Sequence, residues 1–335
     1  MLAAIFGLAG PELNEDEHAF FRDAEPAGYI LFRRNIVERE QLRRLTNSLR
    51  DLSARDELPI LIDQEGGRVQ RMGPPHWPAY PPGGDFDRLY ERAPISAIEA
   101  ARANAEALAL DLSEVGISVN CAPLLDVRAP GAHDAIGDRA LGHDPMRVGA
   151  LGRAVLEGLA RGGVVGVVKH MPGQGRASVD SHHDLPVVDA DEDALAADLE
   201  PFATLNGLAG MGMTNHVLYP AWDGERPATL SPVVIGDVIR GRIGFDGFLM
   251  SDDIDMKALT GTPGEKAAGA VAAGCDVALD CWARMDDMID IAERTPALST
   301  EGERRLQRAM GMRFDPSPGR RAELVAKRDR LLAYA

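Results

Sequence analysis

Eight short, largely apolar runs recur along the chain: Leu2–Phe6, Gly28–Phe32, Pro59–Ile62, Ser118–Pro123, Val164–Lys169, Met211–Asn215, Gly247–Ser251 and Val277–Asp280. Rich in aliphatic residues and without sustained polar alternation, they predict short strands buried on both faces, as in a parallel sheet. Between them the apolar positions switch to helical spacing, over Glu15–Asp23, Glu38–Leu52, Ile95–Val115, Arg147–Arg161, Leu195–Leu205, Pro232–Ile239 and Gly264–Ala273. Arg284–Glu293 follows the last strand and completes the alternation. Eight strand–helix pairs in one chain predict an α/β fold, a single (β/α)8 TIM-type barrel. Thr300–Met312 and Arg320–Leu332 read as two further amphipathic helices packed outside that barrel. The expectation is one domain over residues 1–335, with the barrel at about 1–295 and the C-terminal helices at about 300–332.

Three of these strands end abruptly in polar residues. Val164–Val168 empties into Lys169-His170-Met171-Pro172-Gly173-Gln174-Gly175, followed by Asp180-Ser181-His182. Ile60–Ile62 runs into Asp63-Gln64-Glu65-Gly66-Gly67-Arg68-Val69-Gln70-Arg71, and Phe248–Met250 into Ser251-Asp252-Asp253-Ile254-Asp255-Met256. Polar groups at the C-terminal ends of buried parallel strands are where α/β enzymes hold their chemistry. The Pro/Gly-rich stretch from Pro74 to Gly84 falls between the third strand and its helix, so it reads as a long loop on that same face.

Composition narrows the function classes. A hydrophobic content of 45% supports a large core. The net charge of −16 argues against nucleic acid and against anionic membrane surfaces, both of which require clustered Lys and Arg. No run approaches the roughly 18 apolar residues of a membrane span. Met1-Leu2-Ala3-Ala4-Ile5 carries no basic start, so it reads as a first strand rather than a leader. Cys121, Cys275 and Cys281 cannot all pair and lack metal-ligand spacing, which points to buried thiols in a reducing compartment, the cytoplasm. No metal or organic cofactor is expected: there is no H-E-x-x-H or EF-hand pattern, and Gly173-Gln174-Gly175 is too short for a dinucleotide fingerprint.

Together the three cassettes resemble the signature of family 3 glycoside hydrolases, and within that family the bacterial cytoplasmic β-N-acetylglucosaminidases. The family patterns are D-Q-E-G-G-R-V-Q-R, K-H-F-P-G-H-G followed by D-S-H, and S-D-D-x-x-M, and the resemblance runs from about Ala27 to Cys281. It implies a retaining exo-enzyme that forms a covalent glycosyl–enzyme intermediate. Asp252 matches the nucleophile, although an Asp after a strand also suits the cap of a helix starting at Ile254. Asp253 and Asp255 fit a capping or supporting role better. The resemblance assigns proton transfer to His182 held by Asp180, in place of the usual second carboxylate. Imidazole titrates near neutral pH, so it can protonate a leaving oxygen and then deprotonate water. The adjacent His183 is a rival donor that only the family pattern deselects.

Sugar binding is carried by the resemblance to Asp63, Arg71, Arg139, Lys169 and His170. Lys169 also stands out by itself, since a charge ending an apolar strand has little structural reason to be there. Arg139 could instead form an ordinary loop salt bridge with Asp138, and His170 could be a core histidine. Glu65 has no assigned role beyond shaping its loop. His216, just past a strand end, is expected on the same face, within reach of substrate. Gln174 replaces the family's second His and Met171 its aromatic, and glutamine cannot titrate.

The implied substrate is a muropeptide carrying terminal GlcNAc linked to 1,6-anhydro-N-acetylmuramic acid, and the implied role is cell-wall recycling by a monomer. Three alternatives remain at this level. A GlcNAc phosphorylase would use phosphate in place of water, since a His acid/base does not repel the phosphate dianion. A β-glucosidase is disfavoured by the Asp180–His182 pair. A non-catalytic sugar-binding protein is raised by Gln174.

Overall fold

A computed structural model describes residues 1–177, 179 and 184–334. Its centre is a closed, all-parallel barrel. The strands are β1 (Leu2–Gly7), β2 (Pro26–Leu31), β3 (Ile60–Ile62), β4 (Val119–Asn120), β5 (Val165–Met171), β6 (Met211–Thr214), β7 (Phe248–Asp253) and β8 (Val277–Asp280). Each pairs with its sequence neighbours, and β1 closes on β8 through Phe6 opposite Asp280. This is the (β/α)8 architecture that the alternation predicts.

The strands owe their position to the two-residue period of extended chain. Ala3, Ile5, Ile30, Leu61, Val119, Val165, Val167, Met211, Met213, Phe248, Met250, Val277 and Leu279 form one cluster that fills the barrel interior. The alternate residues Ala4, Phe6, Tyr29, Leu31, Ile60 and Ile62 pack outward against the surrounding helices. A strand buried on both faces needs apolar side chains at both parities, and the runs supply them. Because the interior is filled, the barrel is a packed core rather than a pore.

The helices around the wall are α1 (Glu15–Ala24), α2 (Arg39–Ser53), α3 (Gly83–Arg92), α4 (Pro94–Glu114), α5 (Pro145–Arg161), α6 (Glu192–Leu205), α7 (Pro263–Ala273) and α8 (Met285–Arg294). Their starts follow capping chemistry. Asn14 and Glu17 form a reciprocal capping box at α1, Thr262 and Glu265 another at α7, and Asp144 precedes Pro145 at α5. Among the described residues no helix is long and apolar enough to cross a membrane.

Four features differ from the reading of the sequence. The Pro/Gly stretch ends in an unexpected helix, α3, which opens on Gly83-Gly84, two poor helix formers. A β-carbon on Gly83 would meet the Arg139 carbonyl at 2.4 Å, so glycine is what allows α3 to sit against the Arg139 segment. The fourth strand keeps only two residues of regular pairing. The stretch expected as a helix from Pro232 is a π-helix over Val234–Arg242, closed by the Ile243 amide donating to the Val238 carbonyl. Finally, the two C-terminal helices play different parts. The last, α10 (Arg321–Leu332), packs on the outer face of α4. By contrast, α9 (Thr300–Met310) inserts Leu306, Ala309 and Met310 into the interior cluster. It stoppers the base of the barrel rather than lying along its wall, with a cavity of about 910 Å³ beside it, and the opposite, C-terminal end is open as well.

Candidate active site

At that open end the Asp63 cassette folds into a hairpin, Gln64–Gly66 against Val69–Gln70. Gly66 and Gly67 turn the corner at φ of 108° and 56°, which explains the paired glycines. Gln64 holds the hairpin from inside: its Oε1 accepts from the Arg71 and Met72 amides at 2.9 and 3.0 Å. Asn120 on β4 exchanges two bonds with the Gln64 backbone. As a result, Asp63 and Glu65, two apart in extended chain, face the same way.

Lys169, near the end of β5 and only 2% exposed, reaches both carboxylates. Its Nζ donates to Asp63 Oδ1 at 3.1 Å and lies 2.8 Å from Glu65 Oε1. Arg139 grips Glu65 with two bonds of 2.8 Å, the bidentate fork that suits a carboxylate. Arg71 Nη2 donates to Asp63 Oδ2 at 3.2 Å. Burial alone would raise both acids; the Lys169 charge, joined by Arg71 at Asp63 and by Arg139 at Glu65, outweighs it. Asp63 is held well below the usual carboxylate range and Glu65 falls to about 2. Burial would likewise lower Lys169, but the Glu65 and Asp63 charges drive it above the ordinary lysine value. Asp63, Glu65, Lys169 and Arg139 are therefore fixed in their charged forms.

Beside this floor, His170 Nδ1 donates to Asp126 Oδ2 at 2.8 Å. Asp126 is completely buried and also accepts from the His170 and Gln174 amides. The carboxylate sets the tautomer and ring orientation of His170. Gln174 is buried beside it, and its Oε1 has no hydrogen-bond partner among the described residues.

On the other side β7 runs through Asp252 to Asp253, and turns follow until Thr262 caps α7. Asp252 is thus the end of a strand rather than the cap of a helix starting at Ile254. Asp253 accepts from the Trp282 indole N–H at 3.0 Å and from the Cys281 and Asp255 amides at 3.3 and 3.2 Å. Asp280 on β8 is 2% exposed, and its Oδ2 has no hydrogen-bond partner among the described residues. Burial pushes Asp253 up to about 6, with the Asp252 charge adding to the rise against the two amide bonds. Burial also takes Asp280 up to about 7, with the Asp253 and Asp287 charges adding.

Asp63, Arg71, Arg139, Lys169, His170 and Asp252 line one cavity of about 380 Å³, together with Glu65, Gln174, Asp253 and Trp282. A small hollow with buried donors and acceptors converging from β3, β5 and β7 suits a ligand rich in hydroxyl groups, and a strand-end carboxylate on its wall offers a nucleophile.

The sequence matches the family described as "Glycosyl hydrolase family 3 N terminal domain" over residues 3–309. The chain belongs to glycosyl hydrolase family 3. A relative from Chromobacterium violaceum named β-hexosaminidase is 40% identical over 312 residues, which cover 91% of this chain and 85% of the relative. Another of that name, from Aromatoleum aromaticum, is 38% identical over 306 residues, covering 90% and 85%. Among solved structures, NagZ from Neisseria gonorrhoeae in complex with N-trifluoroacetyl-D-glucosamine superimposes with a TM-score of 0.88 at 31% identity, covering 99% of this chain and 98% of that one.

For this family 3 enzyme, six of the eight residues singled out in the sequence meet at one cavity. The other two, Asp180 and His182, lie outside the described residues, as does the rival His183. Three readings need correction. Arg139 does not pair with Asp138, which takes Arg68 at 3.0 Å; its partner is Glu65. Lys169 has a structural reason after all, since it neutralises two buried carboxylates. His216 is absent from the cavity wall: its Nδ1 meets Thr229 Oγ1 and its Nε2 the Asp253 carbonyl, both at 2.9 Å. Burial lowers its pKa, so the neutral ring buttresses the backbone beneath Asp253.

Two contributors escaped the sequence reading. Glu65 was signalled by its two-residue offset from Asp63, whereas Asp126 lies 44 positions from His170 and had no local signal. Among the described residues, the acidic and His side chains with a geometry suited to a metal are Asp87, Glu91 and His143. None lines this cavity, and Arg147 already bridges both carboxylates at 2.6 and 2.5 Å.

Proposed function

We propose that this family 3 hydrolase is a retaining exo-β-N-acetylglucosaminidase that removes terminal β-1,4-linked GlcNAc. The observation that carries the reading is the charged floor of Asp63, Glu65, Arg139 and Lys169 in the same small cavity as Asp252. The β-hexosaminidase relatives and the likeness to NagZ support the same conclusion. Asp63, Arg71, Arg139, Lys169 and His170 bind one terminal sugar through its hydroxyl and acetamido groups.

In the first step the Asp252 carboxylate attacks the anomeric carbon, forming a glycosyl ester as the bond to the leaving oxygen breaks. The Asp180–His182 pair, assigned from the sequence motif, gives that oxygen its proton. In the second step His182 takes a proton from water, the water oxygen attacks the same carbon, and Asp252 leaves as carboxylate. Two displacements on one face after the other return the β configuration. Asp252 suits this role because it stays apart from the Lys169–Arg139 network, free of a neutralising ion pair among the described residues. The substrate is a cytoplasmic muropeptide of the GlcNAc–1,6-anhydroMurNAc type, cleaved in peptidoglycan recycling by a monomer with one catalytic barrel domain. The cytoplasmic placement rests on three unpaired cysteines, two of them buried.

Release of the aryl group from an aryl β-N-acetylglucosaminide tests the reading. Wild type should turn over without added phosphate, and Asp252→Ala should lower kcat by on the order of a thousandfold or more. Equal turnover by the two proteins would remove Asp252 from the mechanism, and a strict requirement for phosphate would make the enzyme a phosphorylase.

A further inference from the structure

The cavity is chemically two-ended. Its buried end is the charged floor, while Phe32, Met256 and Trp282 contribute apolar surface on the β2, β7 and β8 side. Trp282 is 54% exposed, so it stands at the mouth. Of the large apolar side chains left exposed among the described residues, it is the one that lines this cavity.

Trp282 is also held in place. Its indole N–H donates to Asp253 Oδ2 at 3.0 Å, one residue from Asp252. Arg34 donates to the carbonyl of Cys281 just before it. Ala283 just after it adopts a left-handed φ of 57°, a conformation that a non-glycine residue takes only under constraint. A half-exposed indole whose edge is tethered has already lost the rotational freedom that binding would otherwise remove. It presents a fixed aromatic face to whatever leaves the cavity.

We propose that Trp282 is the platform for the leaving group, a second pyranose ring linked to the terminal GlcNAc. The inference rests on the glycosidase reading above and deepens it. An exo-acting site takes the terminal sugar to its closed end, so the next unit lies at the mouth. A β-1,4-linked pyranose in the ordinary chair, as in GlcNAc-β-1,4-GlcNAc, carries its hydroxyls at the equator and turns a C–H face outward, the surface that an aromatic ring covers well; a 1,6-anhydro ring, locked in the inverted chair, offers the C–H groups of its bridge instead. The floor thus selects the sugar that is transferred, and Trp282 the sugar that departs.

The test compares a disaccharide, GlcNAc-β-1,4-GlcNAc, with methyl β-N-acetylglucosaminide, whose leaving group is too small to stack. In Trp282→Ala the ratio of kcat/KM for disaccharide over methyl glycoside should fall about tenfold. Trp282→Phe keeps a ring and loses the N–H, and should restore most of that ratio. An unchanged ratio in Trp282→Ala would overturn the platform. So would a Phe variant as poor as Ala, because the tether to Asp253 would then be what matters. Binding to the Asp252→Asn background separates this inference from the reading beneath it. Calorimetry there should show Trp282→Ala weakening the disaccharide relative to free N-acetylglucosamine about tenfold, whether or not the wild type proves to be a hydrolase.

Discussion

Two groups of buried carboxylates sit at neighbouring parts of the same barrel mouth and behave in opposite ways. Asp63 and Glu65 beside β3 are driven down, Glu65 to about 2. Asp253 and Asp280 on β7 and β8 are pushed up, to about 6 and about 7. Desolvation acts upward on all four, so burial does not distinguish them. Counter-charge does. Lys169 and Arg139 project into the first group with bonds of 2.8 Å, whereas Asp253 is answered by an indole and two amides, and Asp280 by the Trp282 backbone and the more distant Arg284 charge, its Oδ2 having no hydrogen-bond partner among the described residues. The first group therefore keeps its charges at any physiological pH. The second sits beside Asp252 and changes charge near neutrality, so the field at the proposed nucleophile varies with pH.

The contrast can be broken most severely at Lys169. Lys169→Met leaves Asp63 and Glu65 short of their shared cation, and should cost about 3–5 kcal/mol of stability at pH 7, read from urea midpoints. The loss should shrink as pH falls towards 4, because the stranded acids can then take up protons. If it stayed constant with pH, their charge would not be the cause.

A smaller effect with the opposite sign is expected at Asp280. Its folded pKa of about 7 lies above the ordinary value near 4, so the native state holds a proton that the unfolded chain releases. That contribution is full below about pH 4 and is lost as pH rises through 7. Asp280→Asn keeps the neutral form, so it should stabilise the protein by about 1–3 kcal/mol at pH 8 and change little at pH 4. Equal thermal denaturation curves for the two proteins at pH 8 would mean that Asp280 is not strained by its charge.

The smallest change is expected where counter-charge is plentiful and burial is lacking. Asp246 is surrounded by Arg304, Arg305 and Arg308 and falls to about 2, yet its side chain is 56% exposed. Asp246→Ala should cost less than about 1 kcal/mol, since water screens such pairs. A loss as large as that of Lys169→Met would show that ion pairing matters here without burial.

Much of this architecture is legible residue by residue. Val164–Val168 reads as a strand because its apolar run is short, rich in β-branched residues and set off by Gly162-Gly163. The polar residues after it read as a strand-end site for the same local reason. His216 shows the limit of that logic: its place after β6 puts it at the correct end of the barrel, but its ring points to Thr229 and the Asp253 carbonyl. Chain position fixes the end of the barrel, and side-chain direction depends on the neighbouring strand. Lys169 shows the converse, since it looked unexplained only because its two carboxylates arrive from residues more than a hundred positions away.

The sequence by itself determined the eight strand–helix units, their order, and the three cassettes that mark the open end. Those follow from periods of two and 3.6 and from glycine turns, all of which act within a few residues. Tertiary structure decided which acid meets which base, that Asp126 orients His170, that α9 stoppers the base, and that Trp282 stands at the mouth. These depend on strands far apart in sequence coming within a few ångströms, and that happens only when β1 closes on β8.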